Sequence, residues 1–108
     1  MYTTFEAGKE QYQLRFTTNS LCEFESKFKI GVIEALGSGQ FMALRGLLWA
    51  GLQAKQHSVT VDKAGEIIDD YFADDHTFAE LNELIVDALR CSGFFRKAGN
   101  SPAEEAKE

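Results

Sequence analysis

The sequence contains few of the residues that build disulfide frameworks, metal sites or rigid turns. Its 108 residues include two cysteines, two histidines and one proline. Cys22 and Cys91 are too few for a disulfide framework, and each falls in a predicted helix, so we expect both to be reduced and partly buried. His57 and His76 fall in predicted interhelical loops with no cysteine at metal-ligand spacing. The sequence therefore predicts neither a metal site nor a cofactor.

The chain also lacks a long apolar run and an excess of positive charge. Its most apolar segment, from Phe41 to Leu52, is too short to span a membrane and contains Arg45. The first residues show no basic region followed by an apolar run, so no signal peptide is predicted. A net charge of −6 and a pI near 4.9 argue against nucleic acid and anionic membranes as partners. We therefore expect a protein of the cytoplasm.

Negative charge is concentrated in the second half of the chain. Residues 1–56 carry six basic and five acidic residues, whereas residues 62–87 carry nine acidic residues against Lys63 alone, a net charge of −8. Two interpretations are open. A solvated helical face is the favoured one, and a docking face for a basic partner is the alternative.

The hydrophobic pattern changes along the chain from strand-like to helix-like. Residues 2–7 and 11–16 are short segments joined by a turn that contains Gly8, and in the second segment apolar and polar residues alternate. This order predicts a β-hairpin followed by helices. The predicted fold class is α+β, mostly helical, with the N-terminal hairpin packed on a bundle of about four to five helices. The predicted core consists of Leu14, Phe16, Leu21, Phe24, Phe28, Leu44, Leu48, Leu52, Ile68, Leu81, Ile85 and Leu89.

Capping signals indicate where the helices begin and end. Ser20–Glu23 and Thr77–Glu80 each fit a capping box, in which two side chains satisfy otherwise unpaired backbone N–H groups, and Thr60 is a plausible N-cap. The last helix is predicted to end near Lys97, with Gly99 as its left-handed cap. We expect one compact domain over residues 1–99 and a disordered tail over residues 100–108.

The helix predicted from Phe41 to near Gln56 has an apolar side and a side of small residues. Leu44, Leu48 and Leu52 form one stripe, and the opposite side carries Ala43, Gly46, Ala50 and Ala54. Such a helix contacts partners on two sides. We predict that it is the central helix of the domain, with its small side receiving another helix of the same chain. A contact with a second chain is the alternative.

No constellation of side chains predicts catalysis, so the sequence favours a protein that is not an enzyme. Two features remain as candidate partner-binding residues. Arg45 lies four residues before Trp49, and either extends across the Trp49 ring to solvent or forms an ion pair with a carboxylate such as Glu25. Phe94 and Phe95 are consecutive and point about 100° apart on a helix, so one of them is difficult to bury.

Four segments of the chain together resemble a known family. They are the strand Tyr12-Gln-Leu-Arg-Phe-Thr-Thr18, the helix segment Leu21-Cys-Glu-Phe-Glu25, the segment Ala43-Leu-Arg-Gly-Leu-Leu-Trp-Ala-Gly-Leu52, and Thr60-Val-Asp-Lys-Ala-Gly-Glu-Ile-Ile-Asp69. In this order they resemble the small tail-assembly chaperones of long-tailed bacteriophages, above all the gene-transfer-agent-type tail proteins of prophages. The resemblance covers residues 12–69.

The resemblance implies a role in virion assembly without catalysis. Proteins of this family bind the tape-measure protein and assist the polymerisation of tail-tube protein around it in the host cytoplasm. The tape-measure and tail-tube proteins are thus the expected partners, and self-association is an open addition. Two alternatives remain: a minor tube or completion protein retained in the particle, and an unrelated bacterial protein-binding module.

Overall fold

The chain begins with an antiparallel β-hairpin. The computed structural model describes residues 2–94. Strand β1 (Thr3–Ala7) pairs with β2 (Glu10–Leu14), and Phe5 lies opposite Tyr12. The two turn residues, Gly8 and Lys9, both have positive φ, of 60° and 72°. This geometry matches the right-handed twist of a two-residue hairpin, so the predicted hairpin with Gly8 in its turn is confirmed.

Within residues 2–94, five helices follow the hairpin, and the fold is α+β and mostly helical, as predicted. The helices are α1 (Thr18–Phe28), α2 (Val32–Ser38), α3 (Phe41–Leu52), α4 (Val61–Ala73) and α5 (Phe78–Cys91). Helix α3 contacts β2 and each of the other four helices, while β1 packs on α4 and α5. The hairpin therefore buries its apolar face on the helices, which a two-stranded sheet needs in water.

The small residues of α3 allow close approach within the chain. A Cβ atom on Gly46 would lie 2.9 Å from ring carbons of both Phe24 and Phe28 of α1, and one on Gly51 would lie 2.8 Å from Cζ of Phe16. Helix α1 thus occupies the small-residue side of α3. The predicted use of this side inside the molecule is confirmed.

The core is one cluster of buried residues around α3. Of the twelve residues predicted for it, ten are buried, and Leu21 and Phe28 are half-buried at its edge. Ile67 is fully buried although it was not among the predicted residues. The two cysteines, Cys22 and Cys91, are unbonded as expected but exposed. The prediction that they are partly buried is wrong, because each lies on the solvent side of its helix.

Two of the three predicted helix starts are confirmed. The hydroxyl of Thr77 accepts a hydrogen bond from Glu80 N while the Glu80 carboxylate accepts one from Thr77 N, and Thr60 caps α4 by accepting from Lys63 N. The predicted box at Ser20–Glu23 is wrong. The Thr17 and Ser20 side chains form a reciprocal pair one turn earlier, so α1 begins at Thr18 and Ser20 is its third residue.

Two helices end earlier than predicted. Helix α3 ends at Leu52 rather than near Gln56. Gln56 lies in the turn that follows, where its side chain bonds both backbone groups of Gln13, each at 2.9 Å. Helix α5 ends at Cys91. Gly93, with φ of 94°, allows Phe94 N–H to donate to Leu89 O, which closes a Schellman motif well before the predicted cap at Gly99.

The prediction of a tail at residues 100–108, and the part of the predicted domain beyond residue 94, lie outside the described residues. Within residues 2–94, no helix has both the length and the apolar character that a membrane crossing requires.

Candidate partner-binding surface

A groove of about 620 Å³ lies open to solvent between the start of α3 and the exposed side of α4. We call it the α3–α4 groove. Its lining combines apolar side chains from α3 with carboxylates from α4: Phe41, Met42, Arg45, Asp62, Gly65, Glu66, Ile68 and Asp69. An open groove with apolar and charged walls is suited to protein contact rather than to enclosing a small molecule.

The apolar wall of the groove is formed by the first two residues of α3. Phe41 and Met42 are 62% and 61% exposed. The Phe41 ring packs edge-on against the rings of Phe72 and Phe78, with centroids 6.4 and 5.0 Å away. One side of this aromatic ring is therefore fixed on α4 and α5 while the other side faces solvent. Adjacent large apolar side chains with this exposure mark a contact site.

The α4 wall of the groove carries negative charge. Asp62, Glu66 and Asp69 are all exposed and are spaced four and three residues apart, which aligns them along one face of the helix. Lys63 lies 3.8 Å from Glu66 and is itself half exposed, so this contact screens the acidic face only weakly. The acidic cluster in the sequence thus contributes a row of carboxylates to a groove with an apolar wall.

Arg45 lies in this groove and not against either predicted partner. Its Cδ atom would lie 3.2 Å from a Cβ on Gly65, so the aliphatic stem passes over α4 where that helix has no side chain. The buried Nε atom has no hydrogen-bond acceptor among residues 2–94. Both predicted placements are wrong: Lys27 is the cation over Trp49, and the Glu25 carboxylate instead accepts from Val32 N at 2.9 Å.

The remaining predicted residues lie elsewhere in the fold. Trp49 is half-buried on the α1 side of α3, where its ring meets Phe28 edge-on at 6.1 Å and Lys27 Nζ lies 5.6 Å from its centroid. Phe94 follows the end of α5 and is 37% exposed. Phe95 lies outside the described residues. Arg45 and Trp49, one turn apart on α3, thus contact different helices, and Phe94 lies beyond the end of α5.

No protein-family model, curated protein or solved structure matches this chain.

A second cluster of titratable side chains stabilises the α4–α5 junction. The ring of His76 stacks on Tyr71 with centroids 4.0 Å apart, and its Nδ1 lies 3.3 Å from the Glu80 carboxylate. The pKa of Glu80 lies below its usual range mainly because its carboxylate accepts a hydrogen bond from Thr77 N. The contact with His76 lowers this pKa further. Burial is the main cause that raises the pKa of Tyr71, and the negative charge of Glu80 raises it further. These contacts complete a helix cap, and the described residues contain no group of three or more potential metal-ligating side chains.

Phe41 and Met42 were not among the predicted site residues. The signal was present in the sequence, since Phe41 and Arg45 are four residues apart and therefore neighbours on one helix face. Trp49 lies four residues after Arg45, just as Phe41 lies four residues before it. Helical spacing alone therefore does not show whether the Arg45 side chain lies beside Phe41 or beside Trp49. The glycine at position 65 decides the direction, because it leaves room for the arginine stem on α4.

Proposed function

We propose that this protein is a tail-assembly chaperone of a long-tailed phage or prophage, acting in the host cytoplasm. Its partner in this role is the tape-measure protein, which it holds while tail-tube protein polymerises. The observation that carries the proposal is the α3–α4 groove, with its exposed Phe41 and Met42. The resemblance to tail-assembly chaperones supplies the identity of the partner. It covers residues 12–69, which include α3 and the first part of α4.

The groove suits a protein that binds and later releases its partner. The apolar wall has only two large exposed side chains, which favours a contact of modest size. Exposed carboxylates beside that wall speed encounter with a basic partner and keep the free protein soluble. Together these properties fit a chaperone that leaves the finished structure better than a permanent structural subunit.

The experiment is co-expression with the tape-measure gene expected next to this one. We expect a larger soluble yield of the tape-measure protein and co-purification of the two chains. The Met42→Ser variant removes an exposed side chain of the groove without touching the core, and it should reduce co-purification. Absence of co-purification across a range of salt concentrations would contradict the proposal.

Purified particles test the main alternative. A chaperone is present in the assembling cell and absent from mature tails, whereas a minor tube or completion protein is recovered at fixed stoichiometry. Mass spectrometry of purified particles separates these outcomes. Recovery at fixed stoichiometry would replace the chaperone proposal with a structural role.

A further inference from the structure

We propose that the α3–α4 groove binds an amphipathic helix of the partner that has an apolar stripe and basic residues beside it. This inference rests on the proposed function for the identity of the natural partner, whereas the residues of the groove determine the chemistry of the occupant.

The apolar stripe of the occupant is specified by the wall of α3. Phe41 and Met42 present adjacent exposed apolar surfaces, and buried Ile68 extends this lining on the α4 side. Helices commonly bind other proteins by laying an apolar face in such a groove, with anchors three or four residues apart. Met suits this role because its flexible thioether adapts to differently shaped partners.

The basic residues of the occupant are specified by the wall of α4. Asp62, Glu66 and Asp69 contribute three negative charges to the lining against the one positive charge of Arg45. An acidic helix placed here would meet these carboxylates at close range, whereas lysine or arginine would be attracted to them. Charge complementarity therefore selects a basic partner helix.

The length of the contact follows from helix geometry. Asp62 and Asp69 are seven residues apart on α4, which corresponds to roughly 10 Å along the helix axis. A partner helix lying along this row contacts it over about two turns. The expected recognition element is therefore short, with two apolar anchors and two or three basic residues.

The test uses two labelled synthetic peptides with the same amphipathic leucine pattern. One carries lysine at its polar positions and the other carries glutamate. Fluorescence anisotropy should show binding of the lysine peptide that weakens with added salt, and at least about tenfold weaker binding of the glutamate peptide, which is at least roughly 1.4 kcal/mol. Equal affinity for the two peptides would overturn the proposed charge selection.

The location of binding is tested with matched variants. Met42→Ser and Asp69→Asn should each weaken the binding of the lysine peptide several-fold. Two control variants change residues that do not line the groove. Ile33→Ser removes an apolar side chain of α2 that is 68% exposed, and Glu23→Gln removes one negative charge from α1. Both controls should bind as the wild type does. Equal losses in controls and groove variants would reduce the interaction to nonspecific attraction and overturn the proposal.

The two methionines of the chain allow a direct readout. In protein labelled with ¹³C at the methionine methyl groups, the Met42 signal is identified by its loss in Met42→Ser, and Met1 gives the only other signal. The Met42 signal should shift on addition of the lysine peptide. Binding without that shift would place the peptide elsewhere. Peptide binding in the groove without tape-measure co-purification would refute the proposed function alone, and the reverse result would refute the groove alone.

Discussion

Gly46 determines how closely α1 approaches α3. It lies under the edges of the Phe24 and Phe28 rings, and those rings occupy the space where a side chain would begin. A helix-interior glycine normally weakens a helix by about 0.5–1 kcal/mol relative to alanine. At position 46 this cost is offset by the close contact that the missing side chain permits.

The first prediction is that Gly46→Ala destabilises the protein. The added Cβ would lie 2.9 Å from both rings, so α1 must shift, and we expect a loss of about 1–3 kcal/mol in the free energy of unfolding measured with urea. Gly37→Ala is the matched control. Apart from its chain neighbours and its own helix backbone, that glycine of α2 has nothing within 4 Å of its Cβ position, and alanine there should stabilise by about 0.5–1 kcal/mol. Stabilisation by both substitutions would contradict the close packing of α1 on α3.

The second prediction concerns Arg45. Its stem packs over Gly65, but its buried Nε has no acceptor among the described residues, so the guanidinium contributes little to stability. Arg45→Met keeps the stem and should change the free energy of unfolding by less than about 1 kcal/mol. Arg45→Ala removes the stem as well and should cost more than Arg45→Met. A large loss in the Met variant would contradict this assignment, because it would require an Arg45 ion pair that is absent among residues 2–94.

At the scale of the element, the capping box at the start of α5 combines a neutral hydroxyl group with a charged carboxylate. The Thr77 hydroxyl satisfies one backbone N–H, and the Glu80 carboxylate satisfies another and lies in the first turn, where negative charge suits the helix dipole. Because the folded state holds the pKa of Glu80 low, its contribution is present above the unfolded pKa and declines as pH falls through the folded pKa.

The third prediction follows from this sign. Glu80→Gln retains a side chain that fits a capping box but removes the charge, so the difference in urea midpoint between it and the wild type reports the charge alone. We expect the wild type to be the more stable at neutral pH and the difference to shrink as pH falls below about 4. Glu83→Gln is the control, since the Glu83 carboxylate forms no cap. A difference that is constant down to pH 2–3 would contradict the role assigned to the carboxylate.

Helix starts were easier to predict from the sequence than helix ends. The Thr77 box is encoded within four residues, so the sequence predicts it, whereas the turn after α3 is held by a hydrogen-bonded pair between Gln56 and Gln13, 43 residues apart. The predicted start of α1 is wrong because two overlapping pairs, Thr17–Ser20 and Ser20–Glu23, both fit the motif, and the structure forms the first. Local capping chemistry can be read from sequence, but competition between local and distant partners is resolved only by packing.

The candidate site shows the same division. Helical periodicity identified α3 and placed Arg45 toward its apolar side, and composition identified the acidic segment. Neither indicates that these two features face each other, since the α3–α4 groove forms where Arg45 passes over Gly65. Exposure of Phe41 and Met42 likewise depends on which sides of α3 the other elements cover. The sequence predicts the helices that form the groove, but not how α3 packs against α4.

At the scale of the whole molecule, two of the exposed aromatic residues, Phe41 and Phe94, lie at opposite ends of α5. Phe41 packs on Phe78, the first residue of α5, and Phe94 follows its last turn. The helix has 14 residues, so the two positions are separated by roughly 20 Å along its axis. A single short partner helix in the α3–α4 groove does not reach Phe94, which leaves that residue for a separate contact.

The fourth prediction assigns Phe94 to that separate contact. Phe94→Ser should change the free energy of unfolding by no more than about 0.5–1 kcal/mol, because the side chain is partly exposed and lies beyond the helix. It should weaken assembly, seen by sedimentation velocity of the protein alone and with the tape-measure protein. Met42→Ser should weaken only the complex with the partner. If both residues contact that partner, the losses in binding free energy should add in the double variant, because sites this far apart are energetically independent. Sedimentation of Phe94→Ser identical to that of the wild type in both experiments would remove Phe94 from any interface and leave the α3–α4 groove as the binding surface.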